Sequence, residues 1–127
     1  PHAGEFARMT GREPPADLVA RARCVKAAAT AGTILLKGPV DIVSDGARVR
    51  FNRTGTPAMT VGGTGDLLAG VAGALFCHLP AFEAASIAAY ASGKAGMRAA
   101  GERWCGMLAT DMLDYIPEEL FPRGAPE

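Results

Sequence analysis

The stretch Asn52–Gly70, NRTGTPAMTVGGTGDLLAG, sets the reading of the whole chain, because a loop passes into a helix there with one isolated charge at the junction. Twelve consecutive residues, Thr54 to Gly65, are uncharged; four are glycine and four threonine, and Asp66 follows just before an apolar run. Leu67, Leu68, Val71, Ala72, Leu75 and Phe76 recur at helical spacing, which predicts a helix beginning near Thr64 and buried on one face. Glycines let backbone N–H groups approach an anion without Cβ obstruction, and a helix N-terminus adds unsatisfied donors at the positive end of its dipole. Gly62, Gly63, Thr64 and Gly65 are therefore a candidate anion hole, suited to phosphate oxygens or a phosphoryl group in transfer. A carboxylate inside the loop would repel such a ligand, and a lysine there would compete for it. Asp66 has two readings: a general base that takes the proton of an attacking hydroxyl, or a helix cap that complements the dipole. Spacing alone favours the cap. The loop is neither GxGxxG nor GxxxxGK[ST], so dinucleotide-fold and P-loop readings are not supported.

Upstream, Leu18, Val19, Ala22, Val25 and Ala29 recur at helical spacing, with Pro15 near the first turn and Gly32 beyond the end, which predicts a helix from Pro15 to Ala31. TILLKG, Thr33 to Gly38, reads as a buried strand, expected to run parallel to a strand ending near Pro1. Asp45-Gly46 lies between two strand-like runs, predicting a hairpin with strands near Val40–Ser44 and Arg48–Phe51. Downstream, helices are expected over Phe82–Ala100, where Gly93 and Gly96 allow close backbone approach, and over Leu108–Ile116, with residues 117–127 as a frayed tail. The fold class is α/β, read as one partial domain over residues 1–127: a single helix and strand precede the hairpin, whereas a doubly wound sheet needs several. The chain opens on Pro1 and reads as the C-terminal part of a larger domain.

Composition narrows the partners. With 127 residues, 49% of them hydrophobic, the chain suits one modest soluble domain. Thirteen basic and thirteen acidic residues cancel, and the absence of a dense Lys/Arg cluster argues against nucleic acid or an anionic membrane as partner. Cys24, Cys77 and Cys105 are an odd number without CxxC spacing, as expected of a reduced protein, and the apolar run Leu67–Cys77 is too short to span a bilayer. A cytoplasmic protein acting on small molecules is expected.

TGTPAMTVGGTGDLLAG, taken with PHAGEFARMTG and LLKGPVDIVSDG in that order, resembles the ADP/ATP-dependent NAD(P)H-hydrate dehydratases of the ribokinase-like superfamily. The resemblance covers Pro1 to about Ile116. It implies a three-layer α/β/α domain with a mostly parallel central sheet, of which this chain is the C-terminal portion, lacking the N-terminal half. It implies dehydration of S-hydrated NADH or NADPH by a kinase-like step that consumes ADP, or ATP, and gives AMP and phosphate from ADP. Carried over, Asp66 is the catalytic base and a substrate contact, His2 contacts the hydrated dinucleotide, and Gly65 faces the nucleotide phosphates. Lys37, Gly38, Pro39, Val40 and Asp41 border the nucleotide, with Asp41 standing where threonine is frequent. Mg²⁺ accompanying the nucleotide and a homo-oligomeric state are also implied, though no carboxylate cluster marks metal ligands. The alternatives are a ribokinase-like small-molecule kinase, or a nucleotide-binding fragment inactive without its other half. From the residues alone, Glu5 reads as a helix cap, and Met59 and Met107 as packing.

Overall fold

The computed structural model describes residues 1–122. It begins with a helix that the apolar pattern did not announce, α1 (Ala3–Thr10). His2 and Glu5 form a capping box: His2 Nδ1 accepts from the Gly4 and Glu5 amides at 3.0 and 3.3 Å, and Glu5 Oε2 accepts from His2 N–H at 2.7 Å. Helix α2 (Leu18–Ala28) starts later than the expected Pro15, because Asp17 is the N-cap and its carboxylate accepts from Ala20 N–H.

Strands β1 (Ile34–Leu36), β2 (Asp41–Ser44) and β3 (Val49–Asn52) form a three-stranded sheet in the order β1-β2-β3. The hairpin is present within a residue of its expected bounds, and the chain is α/β as read. Both pairings are antiparallel, Leu35 facing Val43 and Val43 facing Arg50. The expected parallel partner is therefore not among the described strands. The antiparallel pairing of β1 with β2 follows from Lys37–Val40, a four-residue link that can only turn back, since a parallel crossover needs a dozen residues or more. On the far edge of β1, Lys37 N–H donates to the Pro1 carbonyl at 2.8 Å. The hairpin turn is closed by Asp45, whose Oδ1 accepts from the amides of Ala47 and Arg48. Gly46 is needed there: its φ is 87°, and a Cβ would lie 2.5 Å from the Ala29 carbonyl oxygen.

Phe6, Ala22, Val25, Leu36 and Ile42 make one core beneath this sheet, each fully buried large side chain contributing about 1.5–3 kcal/mol. Helices α3 (Thr64–Phe76) and α4 (Ala81–Arg103) pack on each other. A second core gathers Ala95, Ala99 and Ala100 of α4 with Met107, Met112 and Ile116. Helix α3 begins at Thr64 as expected, yet none of its residues is buried. Among the described residues only α4 covers it extensively.

The C-terminal region departs from expectation. Instead of a helix over Leu108–Ile116 there is a 3-10 turn at Ala109–Met112, followed by helix α5 (Ile116–Leu120) within the segment expected to fray. Pro117 falls in the first turn of α5, where its missing N–H costs nothing, so a new helix starts there. Asp111 also turns back to accept from Leu108 N–H at 2.8 Å. Arg98 of α4 holds α5 through Glu118 and Glu119, at 2.8 and 3.3 Å, and stacks on Tyr115. Residues 123–127 of the expected tail lie outside the described residues.

Candidate active site at the glycine-rich loop

The loop is held at several points before it becomes α3. Thr56 caps a 3-10 turn at Pro57–Met59, and Thr64 Oγ1 lies 3.1 Å from the carbonyl oxygens of both Met59 and Val61, which share its one proton. Gly63, at φ 95°, is the N-cap of α3 and has no side chain to offer. The first bond of the helix runs from Leu67 N–H to Gly63 C=O. The amides of Thr64, Gly65 and Asp66 have no acceptor among the described residues. A helix start normally satisfies such donors with a cap; here they remain open, at the positive end of the dipole.

Lys37 follows β1 directly and lies against this helix start. A Cβ on Gly65 would be 2.7 Å from Lys37 Nζ, so the absence of a side chain at 65 is what admits the ammonium. Lys37 makes no ion pair among the described residues. Lys37, Asp41, Thr64 and Gly65 share the wall of a cavity of 140 Å³ with Thr54 and Ser92. Ser92 is buried and its hydroxyl has no partner among the described residues. A second cavity of 310 Å³ opens beyond β1, where Pro1, Lys37 and Gly65 meet.

The fold thus brings Lys37, Asp41, Thr64 and Gly65 together. Asp41 is occupied: its Oδ1 accepts from Gly38 N–H at 3.0 Å and its Oδ2 from Asn52 Nδ2 at 2.9 Å. Burial pushes its carboxyl above the usual range, against the opposing effect of these bonds and of the Lys37 charge. Gly38 and Pro39 are exposed, Val40 is half-buried, and none of the three lines either cavity. Gly62 is exposed, and Gly63 faces a separate apolar groove of 830 Å³ between α3 and α5. Asp66 is exposed and carries no hydrogen bond or ion pair among the described residues, so it is not engaged as a cap. His2 has one ring nitrogen taken by the capping box, which leaves Nε2 to carry the proton, 3.5 Å from Glu5 Oε1. The His2 N–H bond holds the Glu5 carboxyl below its ordinary range.

Residues that the motifs alone did not single out complete the site. Asn52 and Thr54 begin the loop, and Gly93 and Gly96 of α4 receive it. A Cβ on Gly93 would collide with Thr54 Oγ1, and one on Gly96 with Met59 Sδ. The two glycines were legible as places of close approach; what approaches them was not.

A family model described as NAD(P)H-hydrate dehydratase matches residues 1–118. The bifunctional NAD(P)H-hydrate repair enzyme Nnr of Methanospirillum hungatei is 55% identical over 121 residues, covering 95% of this chain and 25% of that protein. The ADP-dependent (S)-NAD(P)H-hydrate dehydratase of Cenarchaeum symbiosum is 46% identical over 125 residues, covering 96% of this chain and 44% of that protein. The solved structure of Bacillus subtilis YxkO superposes with a TM-score of 0.78 at 34% identity, over 94% of this chain and 46% of that one. The chain therefore spans from a quarter to just under half the length of these relatives. With the match running over nearly all of its residues, the chain belongs to the NAD(P)H-hydrate dehydratase family.

Proposed function

We propose that this chain supplies the phosphoryl-handling part of an ADP-dependent NAD(P)H-hydrate dehydratase. The observation that carries the reading is the uncapped start of α3, where the amides of Thr64, Gly65 and Asp66 stand open beside the Lys37 ammonium. Donors fixed in advance cost no reorganisation when charge builds on a phosphoryl group, which is how such sites accelerate transfer.

In this mechanism the ring hydroxyl of hydrated NADH or NADPH attacks the terminal phosphorus of ADP. Asp66 takes the hydroxyl proton, the bond to the AMP oxygen breaks, and the loop amides and Lys37 stabilise the moving group. The ring nitrogen lone pair then expels phosphate, which leaves the ring carbon with its bonding electrons. The neighbouring ring carbon loses a proton to solvent, so that its C–H electrons form the ring double bond, the lone pair returns to nitrogen and the reduced nicotinamide is restored. Gly62 and Gly63 keep the loop backbone close to the anion, Lys37, Gly38, Pro39, Val40 and Asp41 border the nucleotide, and His2 donates from Nε2 to the dinucleotide. The unengaged state of Asp66 supports its role as base over a cap. Mg²⁺ has no protein cage here: among the described residues no group of three His, Cys, Asp or Glu side chains could hold an ion. The rest of the protein, in this reading, is the other half of the domain, covering α3 and completing the dinucleotide site in a cytoplasmic homo-oligomer. No helix among the described residues is long and apolar enough to cross a membrane, and the three cysteines are free.

The test uses the natural gene product with hydrated NADH and ADP. Recovery of reduced-nicotinamide absorbance with release of AMP and phosphate is expected, and Asp66→Asn is expected to lose it. Normal turnover by Asp66→Asn overturns the base assignment. A stable phosphorylated product without nicotinamide recovery selects the small-molecule kinase instead.

A further inference from the structure

We infer that Asn52 is a positioning residue that makes one mechanical unit of the two segments of the candidate nucleotide site, the Lys37–Asp41 turn and the glycine-rich loop. The inference rests on the proposed function for its catalytic meaning, while its geometry stands apart from it.

Asn52 ends β3 directly opposite Asp41, and its side chain is buried. A side-chain amide has two donor hydrogens and one acceptor oxygen with two lone pairs, and this one uses all of them. Nδ2 donates to Asp41 Oδ2 at 2.9 Å and to the Ala89 carbonyl of α4 at 3.1 Å. Oδ1 accepts from Thr54 N–H at 3.2 Å and lies 2.8 Å from Thr54 Oγ1, which is also 3.1 Å from the Tyr90 carbonyl. Aspartate at 52 would lack the donors, and leucine would lack both functions.

The linkage continues at both ends. On one side the other oxygen of Asp41 holds Gly38 N–H, so the turn that presents Lys37 is tied to Asn52 through a single side chain. On the other, Thr54 is seated against Gly93 of α4, where its own carbonyl carbon would be 2.7 Å from any added Cβ. Met59 fills the notch at Gly96, and Thr64 Oγ1 closes onto the Met59 carbonyl. A continuous set of bonds and contacts therefore runs from the Gly38 amide to the first residue of α3. It holds Lys37 Nζ in register with the Gly65 backbone, and catalytic geometry tolerates little displacement between such groups.

Amide hydrogen exchange on the natural gene product tests this without requiring turnover. Thr54→Val removes the hydroxyl at the loop end while keeping the shape, and Thr54→Ser restores it. Exchange at the Gly38 amide, on the other segment, is expected to rise about fivefold in Thr54→Val, the effect of one lost hydrogen bond, and to return toward wild type in Thr54→Ser. Asn52→Leu is expected to raise exchange at both Gly38 and Thr54. Unchanged Gly38 exchange in Thr54→Val overturns the proposal, whatever Asn52→Leu does to folding. In the dehydration assay the same Thr54→Val protein should show a higher KM for ADP, with Thr54→Ser rescuing it. If the wild type fails to restore nicotinamide, the functional reading falls while the exchange result still judges the linkage.

Discussion

Helices α3 and α4 lie side by side and answer opposite demands. Helix α4 is long and mostly alanine, glycine and serine, and twelve of its residues are buried. Helix α3 carries Leu67, Leu68, Val71, Leu75 and Phe76, and buries none of them. Small residues are covered because neighbouring backbone can come close: Thr54 and Met59 enter at Gly93 and Gly96, and β2 and β3 pack across the first half of α4. Large residues need a partner surface to receive them, and the described residues supply α3 with little beyond α4. Burial follows from what lies within reach, and hydrophobicity alone does not deliver it.

That contrast can be broken or sharpened. The first turn of α3 is assigned to chemistry, so Asp66→Asn should lower kcat about 10²–10⁴-fold, the usual range for a lost general base, with an unchanged melting temperature; a parallel fall in stability would make Asp66 structural. The exposed side of α3 is assigned to the rest of the protein. Phe76→Ser, at a side chain 61% exposed in this chain, should therefore cost about 3–5 kcal/mol in denaturant unfolding of the natural gene product, as buried aromatics do. A cost near zero would mean that this face stays bare. On α4, Gly93→Val should cost about 1–3 kcal/mol by overpacking against Thr54, measured in the same way. Gly65→Ala should reverse the usual link between stability and function. It should gain about 0.5–1 kcal/mol of helix propensity, since only the mobile end of Lys37 must yield, while raising the KM for ADP as the ammonium is displaced. The smallest effect is expected at the hairpin. Amide and guanidinium bonds from Arg48 hold the Asp45 carboxyl down at about 2, against an ordinary 3.8. A lowered carboxyl stabilises the fold above pH 3.8 and loses that contribution as pH falls through about 2, so Asp45→Ala should flatten the acid limb of the unfolding curve in that interval.

Local signals carried much of the fold. Asp45-Gly46 marked the hairpin, and the apolar repeat from Leu67 marked the start of α3 to the residue. From sequence, β1 was matched only to a strand near Pro1 and its pairing with β2 went unread, although the shortness of KGPV already forbids a parallel crossover between them. Helix α1 shows no apolar period, because a single buried side chain, Phe6, anchors it, and only the reading of Glu5 as a helix cap pointed to it. Of the candidate site, the passage from glycine loop to helix at Gly62–Asp66 was legible, because neighbours in sequence form it. The bonding of Asn52 to Asp41, Thr54 and Ala89 was illegible, because a polar side chain states its capacity for bonds and only the fold states with whom.

The seating of Met59 in the notch at Gly96 constrains how this family can drift. Neither position can enlarge alone: an alanine at 96 needs a shorter residue at 59, and a branched residue at 59 needs more room than even glycine leaves. Changes at the two positions should therefore arise in pairs across related sequences, and a second-site search for suppressors of Gly96→Ala should recover a trimmed side chain at 59. A residue in the middle of a helix, with no ligand to touch, is thereby bound to the history of the loop that would meet the phosphate.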